Sequence, residues 1–146
     1  MIRVVGLIRV LSIVLFLIVL GLVYAYLPVM VRVLPQDATL LFHREYVFYS
    51  AVGFFFLINL FVFILIKMVN ALLLSRKGEE MTAWFNSIGF VINVYVTTLF
   101  GFIGVLNNPL HISASSYGYL NYIGPILLII WLVGIIYFSV KKKSTT

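Results

Sequence analysis

The sequence predicts an all-α integral membrane protein, with four transmembrane helices in an antiparallel up-down bundle and both termini in the cytoplasm. Three observations carry that prediction. First, 64% of the 146 residues are hydrophobic, 10% are charged, and the mean hydropathy is +1.18. A soluble domain averages about 45–50% apolar and about 25% charged, so the excess must be solvated by lipid. Second, the apolar residues gather into four long runs, each near the ~20 residues that a spanning helix needs. Third, the charges fall almost wholly between the runs. A β-barrel would show short alternating segments, and open strands cannot satisfy their backbone in lipid.

The chain reads as a single transmembrane domain over residues 1–146, with helices at about 8–30, 46–74, 82–106 and 119–140. The first run is flanked by Arg3 and Arg9 and ends in Val23-Tyr24-Ala25. That pattern also resembles a cleavable secretory signal; the reading adopted is an uncleaved signal-anchor helix. An outer loop, 31–45, follows. It holds the turn signal Pro35-Gln36-Asp37 and the charged entry His43-Arg44-Glu45 to the second helix. Asp37, His43, Arg44 and Glu45 are the candidates for an outer docking patch. The bland alternative is a solvated helix end, since charged clusters at membrane boundaries are ordinary.

The second and third runs are joined by a short turn, 75–81, whose Gly78 permits reversal. Glu79 and Glu80 suit the positive N-terminus of the third helix. So short a connection makes the two helices antiparallel neighbours. After the third run, Asn108-Pro109 should stop the helix and open an uncharged outer loop, 107–118. The fourth run ends in Lys141, Lys142 and Lys143, placed to sit against anionic headgroups.

Orientation follows from the basic residues. Arg3, Arg9, Lys67, Arg76, Lys77 and the three terminal lysines share one side if the chain alternates, leaving only Arg32 and Arg44 on the other. The positive-inside rule makes the richer side cytoplasmic. Lys67 and Trp84 join the terminal lysines as interfacial anchors, because a long lysine stem carries its ammonium to the headgroups and Trp favours the interface.

Polar residues at depth are few. In the third helix Asn86, Gly89, Asn93, Thr97, Gly101 and Gly104 recur at spacings of three or four, forming one small and polar face. Such faces let another helix approach closely, and the amides can bond across the contact. In the second helix Asn59 and Asn70 are eleven residues apart and differ by only about 20° around the axis. Folding the pair about Gly78 sets Asn70 level with Asn86. It leaves Asn59 and Asn93 offset by about 6 Å. The expectation is that these amides face the contact between helices two and three.

Several chemistries are disfavoured. The chain has no cysteine, which removes disulfides, thiolate metal sites and cysteine nucleophiles. Asp37, His43 and Glu45 have no recognised ligand spacing, and His111 lies in another loop. The net charge of +6 is accounted for by membrane flanks, and three terminal lysines without interleaved aromatics are poor evidence for nucleic acid. No acid lies within an apolar run, which argues against a proton pump or an acid-ringed cation channel. The sequence therefore points to no enzyme, cofactor or metal. The partners expected are the lipid bilayer, other membrane proteins and copies of the chain itself, in a bacterial inner membrane. Its expected role is an accessory, scaffold or assembly subunit acting through helix–helix contacts. The alternative is a small oligomeric transporter or channel using the polar face of helices two and three.

Overall fold

A computed structural model of the chain describes residues 2–34, 39–74, 79–108 and 117–141. Of these, 85% are helical, so backbone polar groups within the apolar segments are satisfied locally, as a lipid solvent demands. Helix α1 spans Ile2–Tyr26. Strands β1 (Met30–Arg32) and β2 (Leu41–His43) follow as an antiparallel pair, Val31 opposite Phe42. Helix α2, Arg44–Val69, runs on into a wider π-helical turn, Asn70–Leu74. The next span is divided into α3 (Glu79–Asn86) and α4 (Ile88–Leu106). Helix α5, Leu120–Lys141, closes the described chain.

Four spans are long and apolar enough to cross a membrane: Arg3–Tyr26, Arg44–Leu72, Glu79–Leu106 and Leu120–Val140. The protein is a multi-pass membrane protein. The third span is the structural centre. It is 44% buried inside the protein, against 17%, 17% and 6% for the first, second and fourth. Helix α4 packs mainly on α1 and α5, with α2 as a lesser neighbour. Its inner side meets Phe16, Leu20 and Phe55 through Val96 and Phe100, and the Phe16 and Phe55 rings stack 3.7 Å apart.

Three local features depart from the sequence expectation. In place of a loop, Met30–Arg32 and Leu41–His43 form a pair of short antiparallel strands, and α2 begins at Arg44. The pair is fastened at its start by the Arg44 amide donating to Val29 O at 2.9 Å, so the first helix ends at Tyr26 instead of 30. The third helix is interrupted at Ser87, whose hydroxyl donates to Trp84 O at 2.6 Å while its amide is shared between Ala83 O and Trp84 O. A serine that bonds back to its own helix competes with the regular ladder and bends it. The second helix widens at Asn70, where its side chain bonds sideways to the next span.

Asn107 joins the hairpin to the bundle. Its Nδ2 donates to Ile103 O, completing the C-terminus of α4, and also to Arg32 O, both at 2.8 Å. The Arg32 amide donates back to Asn107 Oδ1 at 2.8 Å. The side-chain amide thus pairs with β1 as another strand would, covering an edge that otherwise exposes backbone donors and acceptors.

Candidate helix-contact site

The polar residues at depth meet in one network. Asn93 is fully buried, and both ends of its amide are engaged. Its Oδ1 accepts from Asn59 Nδ2 at 2.8 Å, and its Nδ2 donates to Ser12 Oγ at 2.9 Å. The Ser12 hydroxyl donates to Arg9 O at 2.7 Å, and Thr97 donates to Asn93 O at 2.7 Å. One amide therefore ties α1, α2 and α4 together. Asn59 and Asn93 fall at the middle of their spans. The offset of about 6 Å expected between those two residues does not keep them apart, since their side-chain amides bond directly.

A second amide pair sits at the turn end, where Asn70 Nδ2 donates to Asn86 Oδ1 at 3.0 Å. The face carrying Asn86, Gly89, Asn93, Thr97 and Gly101 does not simply line the contact with α2. Most of it meets α1. A Cβ on Gly89 would stand 2.8 Å from Arg9 Nε, one on Gly104 would stand 2.9 Å from Val23, and Gly101 faces Val19. Folding two sequence neighbours about their turn leaves α1 out of account. The bulky Val19 and Val23 of that helix are what the small residues of α4 receive.

Arg9 is the residue that sequence reasoning misplaced. Counted there as a flank, it is half-buried between α1, α2 and α4. Its guanidinium lies over Gly89 and donates to the backbone oxygen of Asn59 at 3.5 Å, a long bond. Ser12 was missed as well, standing alone in an apolar run with no periodic partner to mark it. Beside Arg9, Asn59 Oδ1 is buried without a donor, as is Asn70 Oδ1 at the turn end.

The remaining candidates are placed as follows. Trp84 does not direct its N–H towards headgroups. It donates to Trp131 O at 2.9 Å while Trp131 Nε1 donates to Trp84 O at 3.1 Å. This reciprocal clasp joins α3 to α5, with the Trp84 indole lying where a Cβ of Gly134 would be. Lys67 is exposed at the end of α2 and lies 4.7 Å from the Phe63 ring centroid. His43 caps α2 by accepting from the Glu45 amide at 3.4 Å, and Arg44 lies 5.5 Å from the Tyr24 ring centroid. Asp37, Lys142 and Lys143 lie outside the described residues, as does the side chain of Lys141.

Chemically, the central network offers hydrogen bonds and one cation. It contains no carboxylate, imidazole or thiol. Among the described residues no group of three or more His, Cys, Asp or Glu is placed to hold a metal. At the hairpin end an apolar groove of about 350 Å³ lies between α2 and α4, lined by Val33, Phe42, Tyr46, Phe54 and Phe100. Compared with protein-family models, with curated proteins and with solved structures, the chain matches none.

Proposed function

We propose that this protein is an accessory, scaffold or assembly subunit of a larger membrane complex, acting through helix–helix contacts. One observation supports this above others. The Asn93 amide is spent entirely on neighbouring helices, bonded to both α1 and α2 and wholly buried. Groups lining a solute path would instead face an opening. The orientation that goes with this reading is an up-down bundle with both termini and the 75–81 turn in the cytoplasm, since seven basic residues besides Arg9 then lie on that side. The membrane in view is a bacterial inner membrane.

The test is purification in mild detergent followed by identification of whatever remains bound. A defined set of membrane proteins at fixed stoichiometry is the expected result. Emergence of the chain alone and monodisperse removes the reading's main support.

A second reading, a small oligomeric transporter or channel, is favoured by Arg9, a charge beside the polar face of α2 and α4. Solute flux in liposomes holding only this protein tests it, with Asn59→Leu and Asn93→Leu as the variants that should stop the flux.

A further inference from the structure

Arg9 lies seven residues into the Arg3–Tyr26 span, and its guanidinium reaches Asn59, near the middle of the second span, without a matching anion among the described residues. Its guanidinium has five N–H donors in a rigid fork, and a single bond of 3.5 Å to Asn59 O is what they make among the described residues. The chain's four acids are Asp37, Glu45, Glu79 and Glu80, and of the three among the described residues none lies at this level. Glu45 begins α2, more than a dozen residues from Asn59. Glu79 and Glu80 begin α3, about 14 Å of helix axis from Gly89. A second copy of the chain brings the same shortage. Lipid phosphates lie at the surface, about 15 Å or more from the centre of a ~30 Å hydrocarbon layer.

The surroundings of Arg9 are open on one side. Gly6, one turn away on α1, is exposed, and a Cβ there would meet nothing within 4 Å. The described ring contacts between α1 and α2, Phe16 with Phe55 and Tyr24 with Phe48, lie on the hairpin side of the network. On the other side, Arg9 is what bridges the two helices.

From these observations we infer that Arg9 is the docking charge for a partner transmembrane helix carrying an Asp or Glu near its middle. The inference rests on the subunit reading and names the chemistry of its partner. A carboxylate presents two oxygens matching the guanidinium fork. Gly6 lets the partner backbone come close, and pairing removes the lone charge that makes Arg9 costly in lipid.

The experiment uses a defined probe. The purified full chain is reconstituted in phosphatidylcholine vesicles with a leucine-rich transmembrane peptide bearing one central Glu, and association is read by energy transfer between dyes. Peptides with Gln or Leu at that position are the controls. The Glu peptide should associate at least tenfold more tightly than the Leu peptide, and Arg9→Gln should bring it to the level of the Gln peptide. Arg9→Lys should retain part of the preference. If Arg9→Gln misfolds, as judged by the emission of Trp84 and Trp131, the swap decides. Arg9→Glu should then prefer a peptide with a central Lys.

Equal association of Glu and Leu peptides overturns the inference, as does a Glu preference that survives Arg9→Gln. Loss of the preference in phosphatidylglycerol vesicles also overturns it, assigning Arg9 to headgroups. No native complex takes part, so failure here leaves the subunit reading to its own co-purification test.

Discussion

At the scale of the residue, Asn93 ties together three helices, α1, α2 and α4, through one side chain. Replacing it with Leu removes two interhelical bonds and leaves the Asn59 amide and the Ser12 hydroxyl without their partner. Interhelical hydrogen bonds in membranes average about 0.6 kcal/mol and reach about 1.7. Asn93→Leu should therefore destabilise the bundle by about 1–2 kcal/mol in reversible unfolding from detergent micelles. Thr97→Val, whose hydroxyl bonds only within its own helix, should cost less than half as much. A loss for Asn93→Leu no greater than for Thr97→Val would remove the network from the stability argument. The amides were legible in the sequence because their spacings placed them on defined faces and few other polar residues competed. Arg9 and Ser12 were not. A basic residue near the start of a run reads as a flank, and a single serine among leucines and isoleucines carries no period.

At the scale of the element, α4 was recognisable as the helix with a contact face, while its partner was not. Spacing along one helix shows which residues share a side, but only three-dimensional packing decides whether α1 or α2 fills it. The contact with α5 was hidden for a related reason. Gly124 and Gly134 are ten residues apart, which turns them about 80° from each other and leaves no stripe. Each nevertheless receives a ring, Tyr95 and Trp84 respectively. Trp84 is held by the reciprocal bonds to Trp131 and cannot yield as a free side chain end would. Gly134→Leu should therefore force the indole out and separate α3 from α5. The chain's two tryptophans both sit in this clasp, so the whole of its indole emission should shift to longer wavelength. Gly21→Leu, where a Cβ meets nothing within 4 Å, should leave the spectrum unchanged. The hairpin offers a second element-level test. Asn107→Ala removes three bonds that join α4 to β1 and to its own last turn, each worth about 1 kcal/mol. Hydrogen exchange at the Arg32 amide should rise about tenfold or more, and an unchanged rate would show that the strand pair holds without it.

For the whole molecule, composition alone made lipid solvation and four helices readable, since no soluble fold hides so many apolar residues. The sidedness proposed here is open to a simple measurement, because the chain has no cysteine to replace first. Thr145→Cys should react with a membrane-impermeant thiol reagent only in inverted vesicles, and Ser113→Cys only in intact spheroplasts. The reverse pattern would turn the bundle over. The central place of the third span also sets an order of events in synthesis. Helices α1 and α2 leave the ribosome first, yet they touch each other little and share their main contacts with α4. Asn93 follows Asn59 by thirty-four residues, which at about 5–20 residues per second is about 2–7 s of elongation. For that interval Arg9, Ser12 and Asn59 are already made while the amide that joins them is not. A nascent chain halted before α4 is therefore the form with its polar groups unmet, and the form that a membrane-bound chaperone or protease has something to grip.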